Sequence, residues 1–351
     1  MLMTPGPTAL PPSVREAAGR ELINPDVAPE FQDLYADVTR KLGRVYDTEH
    51  DVVVLGGEGI LGLEAAVESL VEPGDDVLCL ANGLYGEGFA DFVEQYGGDP
   101  TVVASEYGRP LDLAGIEREL ADGDFRAATM VHCETPTGTL TDLGPVLDLL
   151  DDHDVLSVVD AVSSLGGTPV PTDRIDVCLG ASQKCFSAPP GLTTAAISDA
   201  AWDAMEDRDA DTFYANFLPW QDVSEQFPYT HLTTLVVALD EALSLLLDEG
   251  IQSVYDRHLA AAKRCRERGE ELGLDLYPDP ERSSPTVTAF HVPGRAEALQ
   301  THMDEEYDIT LATGLGDLAD DILRVGHMGH NAKTQKVDRV MDCLADALDA
   351  A

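Results

Sequence analysis

Seven short apolar runs, at residues 51–55, 76–80, 101–104, 128–132, 156–159, 176–181 and 193–197, punctuate the first part of this chain. Helix-spaced segments at 61–70, 88–96, 113–121 and 146–151 separate most of them. Apolar runs this short, without polar alternation, fit strands buried on both faces, and parallel neighbours need a crossover helix between them. The alternation therefore predicts an α/β fold built on a mostly parallel, seven-stranded sheet. From about residue 250 the pattern changes to a long charged helix at 251–272, a strand at 286–292, a helix at about 295–306, a strand at 322–325 and a last helix at 334–348. That order predicts a small C-terminal α+β domain, with residues 1–249 as the large domain and 250–351 as the small one. Residues 1–30 are rich in proline and glycine and read as an extended arm, in which Pro5-Gly6-Pro7 forces turns, before a helix at 31–45. No internal repeat or low-complexity segment interrupts this plan.

Two chemically loaded residues end adjacent runs. Asp160 closes the run at 156–159, and Lys184 follows the run at 176–181. Adjacent parallel strands bring both to one edge of the sheet, where open α/β folds bind ligands. A single lysine or aspartate after a strand is ordinarily no more than a solvated strand end. Here the chain has only five lysines, and Lys184 stands between a strand and Pro189-Pro190-Gly191 instead of on a helix face. A carboxylate and an amine meeting at such an edge suit pyridoxal phosphate, whose aldehyde needs a lysine and whose pyridinium nitrogen needs an acidic partner. The turn Gly56-Gly57-Glu58-Gly59-Ile60 joins the first strand to a helix and exposes backbone N–H groups that can hold a phosphate.

The run from Asp160 to Gly167, then Ser182-Gln183-Lys184, then Pro189-Pro190-Gly191-Leu192 resembles the class V aminotransferases, in particular the alanine/serine–glyoxylate group. The likeness extends from Pro5-Gly6-Pro7-Thr8 to Leu323-Arg324-Val325-Gly326-His327-Met328-Gly329 and so covers nearly the whole chain. It implies a fold-type I pyridoxal-phosphate transferase, active as a homodimer with shared sites. It implies that Lys184 forms a Schiff base with the aldehyde and serves as general base, while Asp160 pairs with the pyridine nitrogen. Tyr85 would stack on the ring. The backbone of Glu58, Gly59 and Ile60 would serve the phosphate, Gln183 the phosphate or the ring hydroxyl, and Thr135 or Thr137 the ring hydroxyl or Asp160. Thr230, in a loop after Phe227, would reach the neighbouring subunit's phosphate. Arg324 would clamp the substrate carboxylate, with Gly6 of the arm beside it. Glu58 departs from the hydroxyl or small residue usual in the family, and its carboxylate would repel a phosphate; its side chain is expected to turn away. Pro136 and Asn24-Pro25-Asp26 are further departures. His132 and Cys185 read as packing residues.

The implied activity moves an amino group from alanine, serine or aspartate to a 2-oxo acid such as glyoxylate or pyruvate. Alternatives are another class V enzyme (a lyase, a cysteine desulfurase, a purine or phosphonate amine transaminase) or a non-catalytic cofactor-binding protein, which would show bound cofactor but no turnover. The six cysteines form no Cys-x-x-Cys pair, so neither a zinc site nor a disulfide framework is signalled.

Charge limits the partners. With 65 acidic against 22 basic residues the formal net charge is −43, spread along the chain instead of gathered in a tail. No basic patch is present to neutralise phosphates of a nucleic acid. No uninterrupted apolar stretch reaches membrane length, the candidate at 234–247 being broken by Asp240 and Glu241, and Met1-Leu2-Met3 runs directly into Thr4-Pro5-Gly6 without a signal peptide. The expectation is a soluble cytoplasmic protein from a halophile, whose salt screens the self-repulsion. Thermal unfolding measured from low to molar potassium chloride tests this. Stability should rise steeply with salt, and full activity with cooperative folding at very low salt would contradict it.

Overall fold

The computed structural model describes residues 1–208, 210 and 212–350. Strands β1 (Asp51–Gly56), β2 (Asp76–Ala81), β3 (Asp99–Ala104), β4 (Ala127–Val131), β7 (Leu156–Asp160), β8 (Val177–Ala181) and β9 (Leu192–Ile197) form one seven-stranded sheet in the order β1-β9-β8-β7-β4-β2-β3. Strand β9 alone runs opposite to the other six. Strands β4, β8 and β9 are buried along their whole length, as continuous apolar runs at the centre of a covered sheet should be. Between β4 and β7 a small hairpin, β5 (Cys133–Glu134) with β6 (Thr139–Leu140), stands apart from the sheet.

Helices cover the sheet. These are α1 (Pro12–Ala17), α2 (Pro29–Tyr46), α3 (Gly59–Leu70), α4 (Leu84–Gln95), α5 (Leu113–Asp122), α6 (Leu143–Asp151), α7 (Asp199–Arg208) and α8 (Thr233–Glu249). Helix α8 packs on α1 and α2, burying Val236, Leu239 and Leu243. Its sequence was read above only as a broken apolar stretch: Asp240 and Glu241 exclude a membrane span, but they lie on the less buried face and pair with Lys41 and Arg20. Helix α9 (Ile251–Glu271) then leads to a four-stranded antiparallel sheet, β10 (Asp275–Leu276), β11 (Thr288–His291), β12 (Ala312–Thr313) and β13 (Ile322–Val325), in the order β10-β11-β13-β12, with α10 (Ala296–Tyr307) and α11 (Thr334–Ala350). A second hydrophobic cluster around Phe290, Leu323 and Met341 holds these elements together, and Met3 of the arm belongs to it. The arm is pinned there by Met3 N–H donating to the Thr310 carbonyl (2.9 Å) and by Gly326 N–H donating to the Met3 carbonyl (2.7 Å). It then runs to Lys184.

Two glycines illustrate opposite constraints. In α9, a Cβ on Gly269 would stand 2.2 Å from Phe290 Cε1, so the helix lies against β11 only because that side chain is missing. In α2, a Cβ on Gly43 would meet nothing nearer than the Thr48 carbonyl oxygen at 3.8 Å. Gly269→Ala should therefore lower stability by about 1–3 kcal/mol through overpacking. Gly43→Ala should raise it by roughly 0.5–1 kcal/mol through helix propensity. Chemical unfolding of the two variants beside the parent chain checks both signs.

Candidate active site

The C-terminal ends of β1, β2, β4, β7 and β8 converge on a cavity of about 280 Å³. Asp160 ends β7 opposite Leu179 of β8, so the parallel register sets Asp160 beside the segment that carries Lys184 three residues past the end of β8. Asp160, Lys184, Gln183, Tyr85 and Thr135 line the cavity. So do Glu58, Gly59 and Ile60 at the start of α3, and Gly6 of the arm. Gly6 has φ +113°, and a Cβ there would lie 2.4 Å from Lys184 Cδ, so only glycine lets the arm close over the lysine.

The two central groups are buried and perturbed. Burial pushes the Asp160 carboxyl up to about 6, while the Val162 N–H, donating to Oδ1 at 2.8 Å, and the Lys184 charge act the other way. Burial pushes the Lys184 amine below its ordinary range, and the Asp160 charge opposes this. Lys184 Nζ donates to the Pro5 carbonyl at 2.9 Å. Arg324, 7 % exposed, sits in β13 with Nε donating to the Thr313 carbonyl (2.6 Å) and Nη1 to the Thr135 carbonyl (3.2 Å). Burial lowers its pKa to about 10, and no carboxylate pairs with it among the described residues. A buried guanidinium without an anion is an arrangement suited to receiving one.

Several expectations need correction. Glu58 does not turn away. Its Oε1 accepts from the Ile60 N–H at 3.3 Å, and its Oε2 accepts from Gln183 Nε2 at 3.2 Å. The first turn of any helix has unpaired N–H groups, and the carboxylate folds back to cap one of them. Thr137 does not line the cavity. It is fully buried in the β5–β6 turn, bonded to Thr139 Oγ1 at 2.8 Å. Thr135, in contrast, reaches the cavity and bonds the Ser163 hydroxyl. Within one chain Thr230 lies in a separate hollow with Pro25 and Asp26, and its hydroxyl donates to Asp26 Oδ2 at 2.8 Å. Phe227 is buried against Phe31, Tyr35 and Trp220. His132 is buried beside Ser164 Oγ (2.9 Å) and held neutral, its pKa lowered to about 4.

The residue that sequence reasoning passed over is Glu134. It is fully buried, and its carboxylate accepts from Gly86 N–H at 2.7 Å and Tyr85 N–H at 3.3 Å. It thus caps α4 from a distant hairpin. This explains why α4 begins at Leu84, four residues before the helix-spaced segment at 88–96, and why Tyr85 is fixed in the first helical turn. Gly83 is required because a Cβ there would meet Glu134 Cδ at 2.4 Å. The sequence signal was the position of Glu134 directly before Thr135, in the run His132-Cys133-Glu134-Thr135-Pro136-Thr137-Gly138.

Burial raises the Glu134 carboxyl from 4.5 to about 7. The folded chain then holds a proton that the unfolded chain loses above pH 4.5, so this group's contribution to stability falls as pH rises from 4.5 through 7 and is constant above that. Relative to Glu134→Gln, the parent chain should lose about 1 kcal/mol per pH unit across that window. Parallel stability–pH curves for the two proteins would show an unperturbed carboxyl.

Comparison with known proteins places the chain. The family model described as Aminotransferase class-V matches residues 2–340. An uncharacterised aminotransferase of Methanocaldococcus jannaschii is 36% identical over 94% of this chain and 88% of its own length. The alanine–glyoxylate aminotransferase of Oryctolagus cuniculus is 32% identical over 99% and 92%. The crystal structure of pyridoxamine–pyruvate aminotransferase from Mesorhizobium loti superposes with a TM-score of 0.95 at 30% identity, over 100% of this chain and 92% of that one. The family brings pyridoxal 5′-phosphate as cofactor and the fold-type I architecture that the seven-stranded sheet shows. The cavity fits the pyridine end of that molecule, with a buried carboxylate at Asp160, an aromatic face at Tyr85 and an amine at Lys184. At the α3 end the fit is poorer, because the Glu58 carboxylate already holds the donors. A match over nearly its whole length makes this chain a member of the class V aminotransferases.

Proposed function

We propose that the chain moves an amino group from a small amino acid, such as alanine, serine or aspartate, to a 2-oxo acid such as glyoxylate or pyruvate. The observation that carries this reading is one cavity holding Asp160, Lys184 and Tyr85, with the unpaired Arg324 guanidinium behind Thr135. When bound, pyridoxal phosphate supplies an aldehyde that condenses with amines and a ring that accepts electrons. Asp160 would pair with the pyridine nitrogen and keep it protonated. Lys184, its amine freed from the Pro5 carbonyl, would hold and move the proton exchanged between the substrate α-carbon and the bound ring, and its burial favours the neutral amine that this role needs. Arg324 binds the α-carboxylate through two parallel hydrogen bonds. The relatives' names supply the acceptors: glyoxylate for the rabbit enzyme and pyruvate for the Mesorhizobium one.

In the same reading residues 1–249 form the cofactor domain and residues 250–351 a small domain, supported by two separate hydrophobic clusters. The working unit is a homodimer in a salt-rich cytoplasm. In that dimer Thr230 would have to leave Asp26 to serve a neighbouring site. A cysteine desulfurase is disfavoured, because burial pushes the Cys185 and Cys265 thiols up to about 12 and Cys265 packs in the second cluster.

Glu58 favours a second reading. In it, free pyridoxamine is the amine donor and a 2-oxo acid the acceptor, as the name of the Mesorhizobium enzyme states for that protein. The aminomethyl C–N bond breaks and a C–N bond forms at the α-carbon of the acid. The methylene is oxidised to the aldehyde, the α-carbon is reduced by the same two electrons, and the oxo oxygen is balanced by the aldehyde oxygen through water. No outside oxidant is needed.

Both readings require Arg324 as a planar fork. Arg324→Lys should lower kcat/KM for the 2-oxo acid by about 100-fold, the loss of roughly 3 kcal/mol of charge-assisted hydrogen bonding, with cofactor binding intact. Retained kcat/KM in that variant would remove Arg324 from the site.

A further inference from the structure

Within one chain, the Ile60 N–H at the start of α3 and the side-chain amide of Gln183 are donors where a 5′-phosphate would lie, and the Glu58 carboxylate accepts from both, at 3.3 Å and 3.2 Å. Among the residues lining the cavity the only cation is Lys184, which is the group an aldehyde needs. A phosphate ester would therefore bring about two negative charges to one carboxylate, at an end of the cavity that no arginine or lysine of the chain lines, in a chain of formal net charge −43. Glu58 is exposed at the cavity rim and can rotate out. Its backbone nonetheless forms the N-cap of the helix, so its charge stays within a few ångströms of anything bound there. A like charge at that distance lowers affinity by between about fivefold and a thousandfold, according to how far solvent screens it.

An uncharged hydroxymethyl group meets the same residues differently. Its O–H donates to the Glu58 carboxylate, and its oxygen accepts from Gln183 Nε2 or the Ile60 N–H. Carboxylate, amide and helix end then form one satisfied set. We propose that Glu58 makes this cavity select a pyridine ring with an unphosphorylated 5-hydroxymethyl group, pyridoxal or pyridoxamine, over the phosphate ester. This deepens the aminotransferase reading above and rests on it.

The test is direct binding. Full-length protein freed of ligand is titrated with pyridoxal and, separately, with pyridoxal 5′-phosphate, and the dissociation constants are read from quenching of protein fluorescence and from the ligand's visible band. The parent chain should bind pyridoxal at least about tenfold more tightly than the phosphate ester. Glu58→Ser should reverse that order, tightening the ester by about tenfold or more while weakening pyridoxal, and Glu58→Gln should fall between. Equal or tighter binding of the ester by the parent chain overturns the proposal, and so does an unchanged ratio in Glu58→Ser. Should the variants not fold, the parent chain's two constants decide alone. Tight binding of the ester with amine exchange intact defeats this proposal and leaves the aminotransferase reading standing. Failure to bind either ring defeats both.

Discussion

A buried carboxylate and a buried amine at one end of a parallel sheet are the constraint on which the rest of this structure depends. Asp160 and Lys184 each lose hydration, and each shifts toward its neutral form while the other's charge resists the shift. Such a pair is stable only where the surrounding backbone fixes both. Register fixes Asp160 through β4 on one side and β8 on the other. Lys184 is fixed by the turn after β8 and by the Pro5 carbonyl of the arm. The arm in turn is anchored to the small sheet through Met3, so the second hydrophobic cluster helps to hold the lysine in place.

Much of this was legible in the sequence because the governing signals are local. Uninterrupted apolar runs marked the seven strands, and the residues just past two of those runs marked the chemistry. What stayed hidden depends on partners far along the chain. Helical spacing placed the start of α4 at residue 88, whereas the helix begins at Leu84, where Glu134 arrives from the β5–β6 hairpin to cap it. Helix α8 was obscured by Asp240 and Glu241, whose counter-charges lie in α2 and just beyond α1. The two threonines of the Thr-Pro-Thr motif were indistinguishable in sequence. The hairpin turns Thr135 toward the cavity and Thr137 into the interior.

Glu58 shows how a single departure from a family pattern becomes interpretable only with geometry. In sequence a carboxylate in an anion-binding turn suggested a side chain held out of the way. In the structure it is itself the anion there, accepting from the Ile60 N–H and from Gln183. One cavity thus has a buried carboxylate and an aromatic face at Asp160 and Tyr85 and a second carboxylate, Glu58, at its other end.

The central claim is that the Asp160–Lys184 pair runs an amine exchange. Its most direct measurement is the visible absorbance of the purified protein loaded with pyridoxal or its phosphate in concentrated potassium chloride, followed while single amino acids and then 2-oxo acids are added. The account predicts a visible band that one or two amino acids bleach and a 2-oxo acid restores, with the band absent in Lys184→Ala. A band that forms but no amino acid bleaches, or one that survives the loss of Lys184, would contradict it.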